Sequence, residues 1–149
     1  MNIFKASQSD LQEILSLQYL AFRSEAVVLN NPEIPPLKQT LAELQEEFDT
    51  QIFLKAVDDN GSIVGSVRYF SEGDTVYIGK LIVNPDFQGR GIGTSLLLEV
   101  EKLCPSKRYE LFTRSNNFRN LSIYDRLGYK IFDEKPVMKD LTFAYLEKC

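Results

Sequence analysis

The stretch Leu81–Thr94, with the sequence LIVNPDFQGRGIGT, carries the most informative pattern in this chain. It begins as an apolar strand, which an asparagine–proline pair stops, and Gly89, Gly91 and Gly93 then lead into a helical pattern. A glycine-rich turn from a strand into a helix presents unpaired backbone amides and the positive end of the helix dipole, and an anion can approach it closely. The stretch therefore predicts a site for a phosphate-bearing ligand.

The spacing of these glycines distinguishes the loop from two common phosphate-binding motifs. A P-loop requires a Gly-Lys-Ser/Thr sequence after the first glycine, and none follows here. The dinucleotide-binding motif Gly-x-Gly-x-x-Gly, if it began at Gly89, would need a third glycine at position 94, which is a threonine. The pattern that fits is Gln-x-x-Gly-x-Gly, formed by Gln88, Gly91 and Gly93. A glycine-rich turn that serves only tight packing remains the alternative without a ligand.

Composition restricts the chemistry that the chain can perform. It contains no histidine, which excludes Ser-His and Cys-His nucleophile pairs, histidine bases and the commonest metal ligand. We therefore expect no bound metal. We also expect carboxylates, tyrosine, backbone groups or a cofactor to carry out the chemistry. The net charge of −4 disfavours binding to nucleic acid or to anionic membranes.

Size and targeting signals predict a small cytoplasmic protein. A length of 149 residues predicts one domain, 1–149. The first residues lack a signal-peptide pattern, and no apolar run approaches the roughly 18 residues that span a bilayer. The two cysteines, Cys104 and Cys149, lack the spacing of a disulfide framework, which favours a reducing compartment. We expect a monomer or a homodimer.

Hydrophobic periodicity and turn residues predict the element order βααβββαβαββ, an α+β or mixed α/β layer fold. The predicted strands are 3–6, 51–58, 62–70, 75–83, 109–113, 129–132 and 141–146. The predicted helices run from residue 11 to a break near the prolines at 32–36, from 37 to 48, from 90 or 91 to just before Pro105, and from 118 to 127.

A second motif lies in Asn117–Tyr129, with the sequence NFRNLSIYDRLGY. It places an asparagine and a tyrosine on one predicted helix, followed by a Leu-Gly-Tyr turn. Together with the glycine loop and the element order, it resembles the GNAT acetyltransferase superfamily over almost the whole chain. The resemblance implies an acyl-CoA N-acyltransferase fold with a mixed, mostly antiparallel sheet flanked by helices. It also implies an acetyl-CoA-dependent N-acetyltransferase, with acetyl-CoA or coenzyme A as cosubstrate.

The resemblance also implies roles for particular residues in a direct transfer, in which the substrate amine attacks the thioester in a ternary complex. The cofactor-binding residues that it implies are Leu81, Ile82, Val83, Gln88, Gly89, Arg90, Gly91, Ile92, Gly93, Thr94, Asn117, Asn120 and Tyr124. The amides of Arg90–Thr94 would hold the pyrophosphate, and the backbone of Ile82 and Val83 would pair with the pantetheine arm. Tyr124 matches the general acid that protonates the departing thiolate, although a tyrosine at the edge of the core is the alternative interpretation.

The general base is missing from its usual place in the family, since Thr75–Leu81 contains no acid. The remaining candidates are Glu72, Asp74, Glu110 or a chain of water molecules. We expect Lys80 to face solvent or to lie near the substrate rather than to act as a base.

The resemblance places the segment from Arg23 to Gln39 over the acceptor site, where Glu25 and Glu33 could attract a cationic amine. A small-molecule amine is the first choice of acceptor, and a peptide or protein amine is the second. A non-catalytic acyl-CoA-binding sensor and a structural module remain as rival functions.

Overall fold

The computed structural model describes residues 1–149 and has the predicted order of elements, except that three helices rather than two follow the first strand. The strands are β1 (Asn2–Lys5), β2 (Ile52–Val57), β3 (Ile63–Glu72), β4 (Thr75–Val83), β5 (Arg108–Arg114), β6 (Lys130–Met138) and β7 (Leu141–Lys148). The helices are α1 (Leu11–Leu29), α2 (Pro35–Lys38), α3 (Leu41–Thr50), α4 (Ile92–Leu103) and α5 (Phe118–Arg126). None of these helices combines the length and the apolar character needed to cross a bilayer.

All seven strands form one sheet in the order β1-β2-β3-β4-β5-β7-β6. Every neighbouring pair is antiparallel except β4 and β5, which are parallel. This arrangement confirms the mixed, mostly antiparallel sheet flanked by helices. The parallel pair lies at the centre of the sheet, and α4 lies between its two strands in the chain.

Helices cover the two faces of the sheet, and each face has its own apolar core. On one face, α1 and α3 pack on the sheet through a cluster of eight buried residues that includes Leu11, Leu44 and Phe53. On the other face, α4 and α5 pack through a cluster of 17 buried residues that includes Leu96 and Tyr124. The central strands are therefore held from both sides.

Two predicted elements differ from the structure. The predicted helix 37–48 is divided into α2 and α3, because Thr40 is extended and caps α3 through a hydrogen bond from the Glu43 amide to its hydroxyl, 3.2 Å. The predicted strand 129–132 extends to Met138, because β6 pairs with β7 over most of its length. Every residue of β6 is exposed, so it lacks the alternating pattern that reveals a strand.

Candidate active site

The central pair of strands separates after a short paired stretch. β4 and β5 are paired only from Thr75 to Tyr77 on β4, opposite residues 108–110 of β5. Beyond Tyr77, β4 continues to Val83 beside β3 alone, so one of its edges has no neighbouring strand. An opening at the centre of the sheet results, with free backbone groups along one side.

A β-bulge in β4 lies at the start of this opening. Gly79 is opposite Arg68, and Ile82 is opposite Ser66, so that two residues of β4 lie opposite Val67 alone. Lys80, one of those two, adopts a φ of 45°, which is unusual for a residue with a side chain. The bulge therefore redirects β4 and the Lys80 side chain at the mouth of the opening.

The predicted phosphate loop follows β4 directly. Gly89 and Gly91 have φ angles of 79° and 80°, a region that favours glycine, and Gly91 is the residue before the first turn of α4. The first amide of this helix to find a protein acceptor is that of Ser95, which donates to the Gly91 carbonyl at 3.0 Å. The amides of Arg90–Thr94 donate to no protein group, so five successive donors remain free for an anion.

Packing fixes the position of this helix start. A Cβ atom at Gly65 of β3 would lie 2.8 Å from the Ile92 side chain and 3.1 Å from that of Leu96, so α4 crosses β3 at close range. A Cβ atom at Gly93 would lie 3.7 Å from Leu81 of β4. The free amides therefore stand beside the unpaired edge of β4 on a rigid support.

Two side chains of the loop make their own contacts. The Gln88 amide oxygen accepts a hydrogen bond from Arg119 of α5, which ties the loop to the neighbouring helix. The Arg90 guanidinium stacks over the Phe87 ring at 4.7 Å. Neither contact involves the backbone amides of Arg90–Thr94.

The two predicted asparagines lie at the start of α5. Asn117 caps this helix by accepting a hydrogen bond from the Asn120 amide at 3.1 Å, and its own side-chain amide is 3.4 Å from Glu25 of α1. Asn120 donates from its side chain to Thr113 of β5 at 3.3 Å. Both side chains already have protein partners, and their cofactor contacts stay a prediction.

Tyr124 lies on α5 within the larger core, where only 3% of its surface is exposed. Burial raises its pKa far above the ordinary value, so the phenol keeps its proton at neutral pH. The Tyr124 hydroxyl makes no hydrogen bond to another protein group, whereas that of Tyr129 bonds Glu101 at 3.1 Å and that of Tyr109 bonds the Cys104 carbonyl at 2.8 Å. The ring matches the core-tyrosine interpretation, and the hydroxyl remains free to donate a proton.

A cavity of about 320 Å³ opens on the α1–α3 side of the sheet, where β4 and β5 separate. Aromatic rings of Phe70, Tyr77, Phe112 and Tyr145 form much of its wall. The polar part is lined by Glu47, Gln51, Arg68, Lys80 and Glu110. An apolar cleft with a few convergent polar groups is the usual form of a small-molecule site.

A buried polar network supports one end of the cavity. Arg68 of β3 is 2% exposed and donates to Glu47 of α3 at 2.8 Å and to Gln18 of α1. Gln39 donates to the other oxygen of Glu47, also at 2.8 Å. Burial lowers the pKa of Arg68 and Glu47 raises it in part, but the guanidinium remains charged at neutral pH. The network joins both helices of this face to the sheet.

The three candidate bases have different positions. Glu110 lines the cavity, although its carboxylate is 2.9 Å from the Arg108 guanidinium. Glu72 and Asp74 lie at the β3–β4 turn, outside the cavity, and are exposed. The nearest cation to the Asp74 carboxylate is Lys107, at 3.9 Å. Of the acids predicted from the sequence, only Glu110 is brought to the cavity.

The acids expected to attract the acceptor amine are paired elsewhere. Glu25 makes a two-point ion pair with Arg114 at the end of β5, with distances of 2.7 and 3.1 Å. Glu33 pairs with Lys38 at 2.6 Å. Neither Glu25 nor Glu33 lines the cavity.

Sequence reasoning missed Glu47 and Arg68. Glu47 occupies an ordinary position in an acidic amphipathic helix, and no local pattern separates it from Glu46. Arg68 is a charged residue within an otherwise buried strand, and this mismatch is the one signal that could have identified it.

The comparisons with known proteins agree with this geometry. A family model described as the acetyltransferase (GNAT) family matches residues 11–129. The chain is 34% identical over 109 residues to acetyltransferase ECA0875 of Pectobacterium atrosepticum, covering 70% of this chain and 71% of that protein. It is 26% identical over 120 residues to the UPF0157 protein YqkA of Bacillus subtilis, covering 80% of this chain and 34% of that protein. This chain thus matches about a third of the Bacillus protein's length.

Solved structures share the fold. The PaiA N-acetyltransferase of Thermoplasma acidophilum, determined in complex with coenzyme A, superposes with a TM-score of 0.83 at 20% identity, over 99% of this chain and 97% of that one. A phosphinothricin acetyltransferase of the GNAT superfamily from Sinorhizobium meliloti, in complex with AcCoA, gives 0.79 at 19% identity, over 99% and 86%. Since the family model spans most of the sequence, the chain belongs to the acetyltransferase (GNAT) family, and the predicted class of acetyl-CoA-dependent N-acetyltransferases is confirmed.

Proposed function

We propose that this chain transfers the acetyl group of acetyl-CoA to the primary amine of a small molecule, by direct attack within a ternary complex. The observation that carries the proposal is the adjacency of two backbone features. Five free amides begin α4, and the unpaired edge of β4 lies beside them. A ligand with a pyrophosphate and an amide-bearing arm would satisfy both sets of groups.

The loop residues fit the pyrophosphate of such a donor. The amides of Arg90–Thr94 would hold its oxygens, while Gln88 and Gly89 shape the approach. The β4 edge at Leu81–Val83 would pair with the amide-bearing arm, and one of its amides would polarise the thioester carbonyl. When bound, the donor supplies an already activated acyl group.

Tyr124 is the proposed proton donor to the leaving thiolate. Its phenol is protonated at neutral pH, and its hydroxyl forms no bond to the protein that would have to break. A positioned acid of this kind contributes about 10²–10⁴-fold to a rate. Asn117 and Asn120 of the same helix start would contact the donor nearby.

Loss of a proton from the acceptor is assigned to water. Glu110 is the one predicted acid at the cavity, and its carboxylate is already paired with the Arg108 guanidinium at 2.9 Å. We therefore propose deprotonation through solvent, with Glu110 as an electrostatic aid.

The dimensions of the cavity favour a small acceptor over a peptide or protein. Ligand sites for small molecules commonly measure about 300–1,000 Å³, and the observed cavity lies near the lower limit. We further propose that residues 1–149 act as one domain in the cytoplasm, as a monomer or a homodimer.

A panel of amines with acetyl-CoA, followed by release of free thiol, tests the function. Transfer to at least one small amine is expected. Binding of acetyl-CoA without thiol release for any small amine or peptide would favour a cofactor sensor. Absence of both would favour a structural module.

A further inference from the structure

Lys80 is a cation at the cavity whose charge is incompletely balanced. Its ammonium nitrogen lies 3.7 Å from the nearest carboxylate oxygen, on Glu47, which is longer than a hydrogen bond. That same oxygen accepts the Gln39 side chain at 2.8 Å, and the other Glu47 oxygen accepts Arg68 at 2.8 Å. Glu47 is therefore committed mainly to other donors.

The protein groups around Lys80 make its charge unfavourable. The Lys80 side chain is 30% exposed, and burial together with the neighbouring Arg68 charge lowers its pKa, while Glu47 only partly opposes them. Two cations, Arg68 and Lys80, thus share one carboxylate at this end. A ligand anion beside Lys80 would supply the missing partner.

A second charged group, which reaches the cavity through Glu110, has the reverse charge. Arg108 is shared between Glu110 and Glu147, at 2.9 and 2.8 Å, so this group carries one excess negative charge. The rings of Tyr77, Phe112 and Tyr145 also line the cavity. The cavity therefore presents a cation, an aromatic wall and an acid.

We propose that the acceptor is an amine that also carries a carboxylate, a free amino acid with an apolar side chain, and that its carboxylate pairs with Lys80. This inference rests on the proposed transferase function and specifies its substrate class. The bulge directs Lys80 to the cavity, and the φ of 45° is the conformational cost of that placement. Polyamines and other purely cationic acceptors would bind poorly, because Lys80 and Arg68 would repel them.

The test compares L-phenylalanine with L-phenylalaninamide, which lacks the carboxylate charge. The ratio of their kcat/KM values is measured for wild type, for Lys80→Met and for Lys107→Met. Methionine is unbranched like lysine, so the backbone strain at position 80 is unchanged. Lys107 is 83% exposed and lies outside the cavity, which makes it a matched control. Comparison of ratios cancels the different amine basicities of the two acceptors.

We expect Lys80→Met to lower the ratio at least tenfold and Lys107→Met to leave it unchanged. An unchanged ratio in Lys80→Met would overturn the inference while leaving the transferase function intact. Calorimetry of both compounds with the coenzyme A-saturated protein provides a readout that does not need turnover. Preferential binding of L-phenylalanine that disappears in Lys80→Met supports the inference even if no transfer occurs, and equal binding of the two compounds contradicts it.

Discussion

Substitution of Gly65 by alanine probes the close approach of β3 and α4 that fixes the phosphate loop. The added Cβ atom would lie 2.8 Å from Ile92 and 3.1 Å from Leu96. The first distance is about 0.7 Å shorter than the ~3.5 Å at which carbon atoms make favourable contact. Both neighbours are buried, at 4% and 0% exposure, so neither can move without disturbing the core.

Overpacking of this kind costs about 1–3 kcal/mol. Replacing glycine by alanine also stabilises the folded state by about 0.4–1 kcal/mol, because it reduces the conformational entropy of the unfolded chain. The expected net loss is about 1–2 kcal/mol, and Tm should fall by about 2–8 °C for a chain of this size. Displacement of α4 should also weaken coenzyme A binding, because Ile92 belongs to the loop that presents the free amides.

Differential scanning calorimetry with and without coenzyme A measures both effects. Gly79→Ala is the control, since a Cβ atom there meets nothing within 4 Å and its φ is not positive. Its Tm should be unchanged or slightly higher. A Gly65→Ala protein as stable as wild type, with equal affinity for coenzyme A, would refute the account of how α4 is positioned.

Three further predictions concern the proton donor, the missing base and acid stability. Tyr124→Phe should lower kcat by about 10²–10⁴-fold with little change in the affinity for coenzyme A. If the substitution instead lowers Tm and leaves kcat unchanged, Tyr124 is a core residue and not the proton donor. The rate should rise between about pH 8 and 9, as the acceptor amine loses its proton. Glu110→Gln should lower kcat by less than about tenfold, and a loss of about 10³-fold would make Glu110 the base. Burial alone would raise the pKa of Asp10, but Lys55 at 2.9 Å and the Ser7 amide at 2.8 Å lower it overall. Its stabilisation is therefore present above the unfolded pKa of about 3.9 and is lost as pH falls through the folded value. In urea titrations, the free energy of unfolding of Asp10→Asn should be lower than that of wild type at pH 7 and equal to it at pH 2. Equal free energies at both pH values would show that the ion pair of Asp10 with Lys55 contributes nothing to stability.

The elements of the fold were predictable wherever the sequence carries a local signal. Apolar periodicity and turn residues identified the first hairpin, and the glycines before Ile92 identified the start of α4. β6 was underestimated because an edge strand that is exposed on both faces shows no alternation. The division between α2 and α3 depends on one capping residue, Thr40. The apolar period of the sequence continues across this residue, so it predicts a single helix.

The phosphate loop could be predicted because its residues are contiguous, whereas the acceptor cavity could not. The cavity joins α3, β3, β4, β5 and β7, and its charged residues meet only in the folded chain. Pairing between Glu47 and Arg68 links positions 21 residues apart, and no local spacing rule relates them. Lys80 was placed near the substrate only as one of two alternatives, because the bulge that turns it towards the cavity is a property of the pairing with β3.

Calorimetric titration of acetyl-CoA into wild type, Gly91→Asp and Gly61→Asp tests the central claim most directly. The two glycines have nearly the same φ, 80° and 81°, and a Cβ atom at either position meets nothing within 4 Å, so the substitutions impose the same strain and the same charge. Only Gly91 stands among the free amides at the start of α4; Gly61 lies in the β2–β3 turn. The account predicts saturable binding to wild type and to Gly61→Asp, and none to Gly91→Asp. Equal affinity in all three proteins, or no binding to wild type at millimolar acetyl-CoA, would contradict it.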